Sequence, residues 1–196
     1  MNIESRITQH FQDSAELKLR CLAQLRPHVA AASHAMADAM RSGNKILACG
    51  NGGSAADSQH FAAEFLNRLE MERGELAAMS LTTDTSTLTS IANDYSYEEI
   101  FSKQVRALGK PNDILFAITT SGNSKNVLKA IEAAHAKQIK VVALSGRDGG
   151  KLNELLAPGD IHICVPHERT LRIQEVHILV IHCLCDAVDS ILFGEK

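Results

Sequence analysis

The sequence predicts an α/β protein, a doubly wound parallel sheet of five strands, on three observations. Short apolar runs recur ("KILACG", "LAAMSLTT", "DILFAITT", "IKVVALSG", "DIHICVP"), each ending in Gly, Ser, Thr, Asp or Pro. Stretches with helical periodicity separate them, and parallel neighbours need such crossovers. The chain has 196 residues, 45% of them hydrophobic, enough for one core and short of two.

Taken in order, the chain opens with Ile3, Ile7, Phe11, Leu19 and Leu22, then Val29, Met36 and Met40, at helical spacing. Pro27 marks a break, so two helices are expected, the second ending near Gly43. After the first strand, helices are expected over Ser54 to Glu70, Asp84 to Asn93, Tyr97 to Leu108 and Ser124 to Lys137, with a shorter piece around Lys151 to Leu156. The last segment, "ERTLRIQEVHILVIHCLCDAVDSILF", is apolar on more than one face and must be buried on more than one face. The small sheet cannot cover all of it, so this helix and the N-terminal pair are expected to form an oligomer interface. The organisation is a single domain: N-terminal helices about 1–42, a sheet-and-helix core about 43–168 and a C-terminal helix about 169–193.

Composition narrows the function. Twenty Lys and Arg against 23 Asp and Glu give a net charge of −3, without the basic footprint that direct nucleic-acid binding needs. No targeting leader and no run long enough to span a bilayer is expected, which implies a cytoplasmic protein without a membrane partner. The five cysteines (Cys21, Cys49, Cys164, Cys183, Cys185) form no C-x-x-C clamp and read as reduced core residues.

Two loops could cradle a phosphate. "GNGGS", Gly50 to Ser54, lies at a strand-to-helix junction, where glycines allow close backbone approach and a helix N-terminus offers free N–H groups. It lacks the Lys of a Walker loop and the spacing of a dinucleotide fingerprint, and a plain tight turn would explain it equally well. "TTSGNS", with Thr119, Thr120, Ser121 and Ser124 around Gly122, carries four hydroxyls where a helix cap needs one. Following the first cradle, His60 and Glu64 stand at i and i+4 on one helix face, about 6 Å apart in rise, near enough to hold one divalent ion or serve one substrate. A hydrogen-bonded surface couple has the same spacing. Arg68 extends that face as an ion ladder or as a support for the Glu64 carboxylate. On the last helix His177 reads as a core histidine, whereas His182, set among apolar residues, needs an anionic or metal partner to stay basic. Glu64 would supply one. Asn93 and Asp94 are sufficiently explained as a turn after a helix, and His10, His28, His34, His135, His162 and His167 have no telling partner.

Together, "CGNGGSAADSQHFAAEF", "IANDYSYEEIFSKQV", "SGNSKNVLKAIEAA", "ALSGRDGGKL" and "RIQEVHILVIH" resemble the sugar isomerase (SIS) domain family, specifically its heptose phosphate isomerases, over nearly the whole chain. The resemblance implies a flavodoxin-like SIS fold and a homotetramer. It implies conversion of sedoheptulose 7-phosphate to D-glycero-D-manno-heptose 7-phosphate for the lipopolysaccharide core, with zinc in the site. It also implies that Asn51, Gly52, Gly53, Glu64, Asn93, Asp94, Thr119, Thr120, Ser121, Ser124 and Gln174 hold the sugar phosphate. His60, Glu64, Gln174 and His182 would ligate zinc, with Glu64 and His182 the acid/base pair. On one straight helix Gln174 and His182 stand about 12 Å apart in rise and about 80° in rotation, too far for one ion. Either the helix begins after Gln174 or the ligands of one site come from different chains. A non-catalytic regulator that binds the bacterial replication initiator shares the fold. The tail "HCLCDAVDSILF" resembles that regulator, and Thr119 replaces the serine commonly found in the isomerases, but a binding module has no need of Glu64 or His182.

Overall fold

A computed structural model describes residues 2–194. The five strands are β1 (Ile46–Cys49), β2 (Ala78–Ser80), β3 (Ile114–Thr119), β4 (Lys140–Gly146) and β5 (Ile161–Val165), and the helices are α1 (Ile3–Arg41), α2 (Gly53–Leu66), α3 (Thr85–Asp94), α4 (Ser102–Leu108), α5 (Lys125–Ala136), α6 (Leu152–Leu155) and α7 (Thr170–Phe193). All four pairings are parallel and the spatial order is β2-β1-β3-β4-β5. The chain therefore leaves β1 in one direction and resumes at β3 in the other. In open sheets of this kind the crevice beyond the strand ends at that reversal is where ligands bind.

Alternation along the strands builds two cores. Ile46, Ala48, Ile114, Phe116 and Ile118 face α1, α2 and α7, while Leu47, Cys49, Leu115 and Ala117 face α3, α4 and α5, the period of two that a strand buried on both faces imposes. α2 is anchored by Phe61, whose ring lies 4.6 Å from that of Phe116 and 4.7 Å from that of Phe65.

Three of the expected helical segments differ. The N-terminal segment is one helix with Pro27 inside it. Leu17, Cys21, Leu25, Ala32 and Met36 make one buried stripe that continues in register across residue 27, and this packing outweighs the proline's missing N–H. α2 stops at Leu66 rather than Glu70, because the Arg73 guanidinium takes the carbonyls of Glu64 (2.9 Å), Phe65 (2.7 Å) and Asn67 (2.9 Å). Residues 97–108 divide into a 3-10 turn, Tyr97–Glu99, and α4. There Glu99, bonded by Ser102, Lys129 and Arg106, is held as a carboxylate with its pKa near 2.

α7 is long and apolar enough to cross a membrane, which the sequence reading did not expect. Its composition follows from its position between the sheet and α1: Ile173, Val176, Val180, Ile181, Leu184 and Val188 are buried, and so are the polar groups Arg172, His177 and Asp189, each with a partner inside the protein. Cys21, Cys49 and Cys185 are buried thiols and Cys164 is half-buried, but Cys183 is exposed, against expectation.

Two stability measurements test this packing. Arg73 and Asp189 pair at 3.0 Å with side chains only 2% and 5% exposed. Asp189→Ala leaves a buried guanidinium without its counter-ion and is expected to lower stability by about 3–5 kcal/mol in urea unfolding. His177, whose Nε2 donates to the Ser145 carbonyl at 2.9 Å, has its pKa pushed down to about 4, first by burial, with that hydrogen bond opposing. Between its ordinary value of 6.5 and about 4 the unfolded chain binds the proton that the folded chain refuses. Stability is therefore complete above that window and declines as pH falls through it. His177→Gln, which keeps an N–H donor, should show a shallower decline over the same range in urea titrations.

Candidate active site

Both loops singled out in the sequence emerge at the reversal point. The first leaves β1 and opens α2; the second leaves β3 and opens α5. Neither N-cap, Gly52 nor Ser124, makes a side-chain bond to its helix, so no capping side chain competes with an anion at either helix N-terminus. Ser124 instead shares a hydrogen bond of 3.1 Å with the Thr119 hydroxyl, and the Ser121 hydroxyl accepts from the Asn123 N–H at 3.2 Å. The second cradle is shaped from behind by the loop after β4. Gly122 has φ +66°, and a side chain there would meet the Gly149 carbonyl, so this turn needs glycine. The Leu152 N–H donates to the Gly122 carbonyl at 3.1 Å.

On α2, His60 Nε2 lies 3.2 Å from Glu64 Oε1 and 3.0 Å from His182 Nε2 on α7. The side chains of His60 and Glu64 are 42% and 18% exposed, so the histidine is open to a ligand and the carboxylate lies partly behind it. The structure thus brings together His60, Glu64 and His182 across 122 residues of sequence. Gln174 lies elsewhere. α2 and α7 run side by side in the same direction, and the Gln174 amide fills the space over Gly53, where a Cβ would stand 2.3 Å from its Nε2. Because α7 begins at Thr170, before Gln174, the glutamine and His182 share one helix and stand about 12 Å apart in rise. Among the described residues of one chain, no group of three or more His, Cys, Asp and Glu is arranged so that it could hold a metal ion by itself.

Asn93 and Asp94 are the last two residues of α3 rather than a turn after it, and Asn93 Nδ2 donates to Asp94 Oδ1 at 2.8 Å. Asn51 lies between the cradles, paired with Asn126 and reached by the Tyr97 hydroxyl at 3.0 Å. Arg68 pairs with Glu72 at 3.2 Å and does not support Glu64; Arg73, unremarked in the sequence, does so through the Glu64 carbonyl. Asp57, three residues before His60, was also missed. Burial pushes its pKa up to about 6, with the neighbouring His60 opposing, and its Oδ2 has no hydrogen-bond partner. Its i, i+3 spacing to His60 was the available signal. His135 and His162, expected to be unpartnered, meet Asp160 (2.7 Å) and the Ser145 hydroxyl (2.6 Å). His10 contacts Arg172, and His167 Nδ1 accepts the Arg169 N–H at 3.0 Å.

The constellation has close counterparts. The profile of the SIS domain family matches residues 9–146. A phosphoheptose isomerase of Azoarcus sp. (strain BH72) is 59% identical over 194 residues, 99% of this chain and 98% of that protein. Among solved structures, phosphoheptose isomerase GmhA from Neisseria gonorrhoeae superposes with a TM-score of 0.92 at 50% identity, over 96% of this chain and 100% of that one. A phosphoheptose isomerase from Francisella tularensis does so with 0.94 at 44% identity, over 97% and 100%.

Proposed function

Because the chain belongs to the SIS domain family and is an isomerase of sugar phosphates, we propose that its substrate is sedoheptulose 7-phosphate and its product D-glycero-D-manno-heptose 7-phosphate. The observation that carries the chemistry is Glu64 and His182 gathered on one ring nitrogen of His60, beside two helix N-termini suited to a phosphate. Moving the carbonyl from C2 to C1 requires a base at carbon and a proton carrier at oxygen. The Glu64 carboxylate takes a proton from C1 and returns it to C2 of the enediol. The His182 ring takes the O1 proton and delivers one to O2, so each group ends as it began. Thr119, Thr120, Ser121 and Ser124 hold the remote phosphate and Asn51, Gly52 and Gly53 the sugar chain, and the binding energy of both orients the reacting carbons. Asn93 and Asp94 complete the sugar contacts.

The donor set suits zinc. His60 Nε2 stands 3.0 Å from His182 Nε2 and 3.2 Å from Glu64 Oε1, each near the roughly 3.3 Å between two neighbouring ligands of a tetrahedral ion with bonds of 2.0–2.1 Å. His60, Glu64 and His182 would hold it, and Gln174, displaced along α7 within its own chain, would join them from a second copy. When bound, zinc would stabilise negative charge developing on the substrate oxygen. A second copy also has a surface to use: Ile3, Ile7, Phe11, Leu19 and Leu22 of α1 and Leu171 and Leu179 of α7 are exposed, beside an apolar groove of about 290 Å³ between the two helices. An exposed apolar face of this size supports a homo-oligomer that would cover it, a tetramer by the resemblance. The protein would work in the cytoplasm, supplying heptose for lipopolysaccharide core. Glu64 and His182 argue against the non-catalytic initiator-binding reading, which needs neither.

Turnover of sedoheptulose 7-phosphate with solvent proton exchange at the reacting carbons tests the assignment. Glu64→Gln is expected to retain the fold and lose at least about a thousandfold in kcat, having lost the carbon base; a variant within about tenfold of wild type refutes the role given to Glu64. Removing bound metal by dialysis against a chelator should lower turnover by more than about tenfold, with recovery on adding zinc. His60→Ala should reduce the zinc retained per chain by elemental analysis.

A further inference from the structure

The two cradles are tied to each other. Asn51 Nδ2 donates to Asn126 Oδ1 at 2.9 Å while Asn126 Nδ2 donates to Asn51 Oδ1 at 2.8 Å, and the Tyr97 hydroxyl donates to the same Asn51 oxygen at 3.0 Å. The Asn51 amide comes from the loop after β1 and the Asn126 amide from the first turn of the helix that follows β3, 75 residues of sequence apart. Their settings differ. Asn126 is 3% exposed at the second residue of α5, a helix fixed in the core by Val127, Ala130 and Ile131. Asn51 is partly exposed in a loop that includes Gly50, Gly52 and Gly53, with Gly52 at φ +56°, a stretch with much backbone freedom to lose.

We propose that Asn126 is a positioning residue: it holds the Asn51 amide and fixes the spacing of the glycine loop against the phosphate-holding hydroxyl loop. This rests on the isomerase reading above, in which Asn51 touches the sugar phosphate. Both lone pairs of Asn51 Oδ1 are engaged, and one hydrogen of Nδ2 is used, so one N–H of Asn51 is left to point into the crevice in a set direction. A glycine loop ordered before the ligand arrives loses less entropy when it binds. The effect falls on ligands that span both loops. Inorganic phosphate, which fits the hydroxyl loop alone, is indifferent to it.

Asn126→Ala tests this by calorimetric titration of the intact protein with sedoheptulose 7-phosphate and, separately, with inorganic phosphate, alongside kcat and KM. The expected result is about a tenfold rise in the Kd and KM for the sugar phosphate, kcat within about threefold, and an unchanged phosphate Kd. On an Asn51→Ala background the same substitution should add less than about twofold, the non-additivity of groups that act together. Tyr97→Phe, an exposed change that spares the core, should shift sugar-phosphate affinity about two- to threefold in the same direction. Equal weakening of both ligands by Asn126→Ala would overturn the proposal, since it would mean distortion of the α5 N-terminus; so would unchanged sugar-phosphate affinity in both variants. Wild-type protein that binds sedoheptulose 7-phosphate without converting it would refute the isomerase reading and leave the positioning role to be judged from the two titrations. A wild type that binds neither ligand overturns both.

Discussion

The seam between α2 and α7 governs the geometry of the site. At one end Gly53 has no side chain and the Gln174 amide occupies the vacated space; in the middle His60 meets His182; past the other end Arg73 and Asp189 pair out of water. Two helices running in the same direction keep their residues in step, since each advances about 1.5 Å per residue. The rings of His60 and His182 therefore meet only if the ends are correctly placed. The Arg73 guanidinium does more than neutralise Asp189: it donates to the final carbonyls of α2, sharing that of Phe65 with the Leu76 N–H, where helical partners have run out. One buried side chain thus ends the helix and aligns it.

The sheet supplies the complementary constraint. Reversal of strand order between β1 and β3 opens a crevice at their carboxyl ends, and the two loops entering it both lead into helices of more than ten residues. Helix N-termini attract anions without a lysine or arginine, which is why a phosphate site can lie in a chain of net charge −3. The charges near this crevice do a different task. Lys125 and Lys129 bind Glu98 and Glu99, fastening the turn that carries Tyr97 to the side of α5 and so bringing its hydroxyl to Asn51.

Features set by local sequence were legible before the structure. Each strand was bounded by its own turn residues, and the order of strands and helices followed from crossovers; the pairing of His60 with Glu64 was one helical turn. Features set by distant packing were not. Pro27 signals a break locally, but the stripe from Leu17 to Met36 overrides it. Arg73 is an ordinary charged residue until Asp189, 116 positions away, is placed beside it. Asn126 looks like a residue in the first turn of a helix, and only the fold shows that its amide is spent on Asn51. His135 and His162 were dismissed for want of neighbours that lay 25 and 17 residues away.

α7 shows why composition alone misleads about such a helix. Its inner face fills the core with Ile173, Val176, Val180, Ile181, Leu184 and Val188, and Leu171 and Leu179 stand exposed on the outside. A helix apolar on both sides resembles a membrane span by hydropathy. The distinction lies in the polar residues it retains. Gln174 and His182 face α2, His177 reaches into the sheet to Ser145, and Asp189 answers Arg73. Each of these would be costly in lipid, and His182, His177 and Asp189 are answered from α2, β4 and the segment after α2 respectively. The same helix can therefore belong to the core, to the site and to an outer apolar face, because its polar groups are assigned one by one while its apolar ones need only be covered.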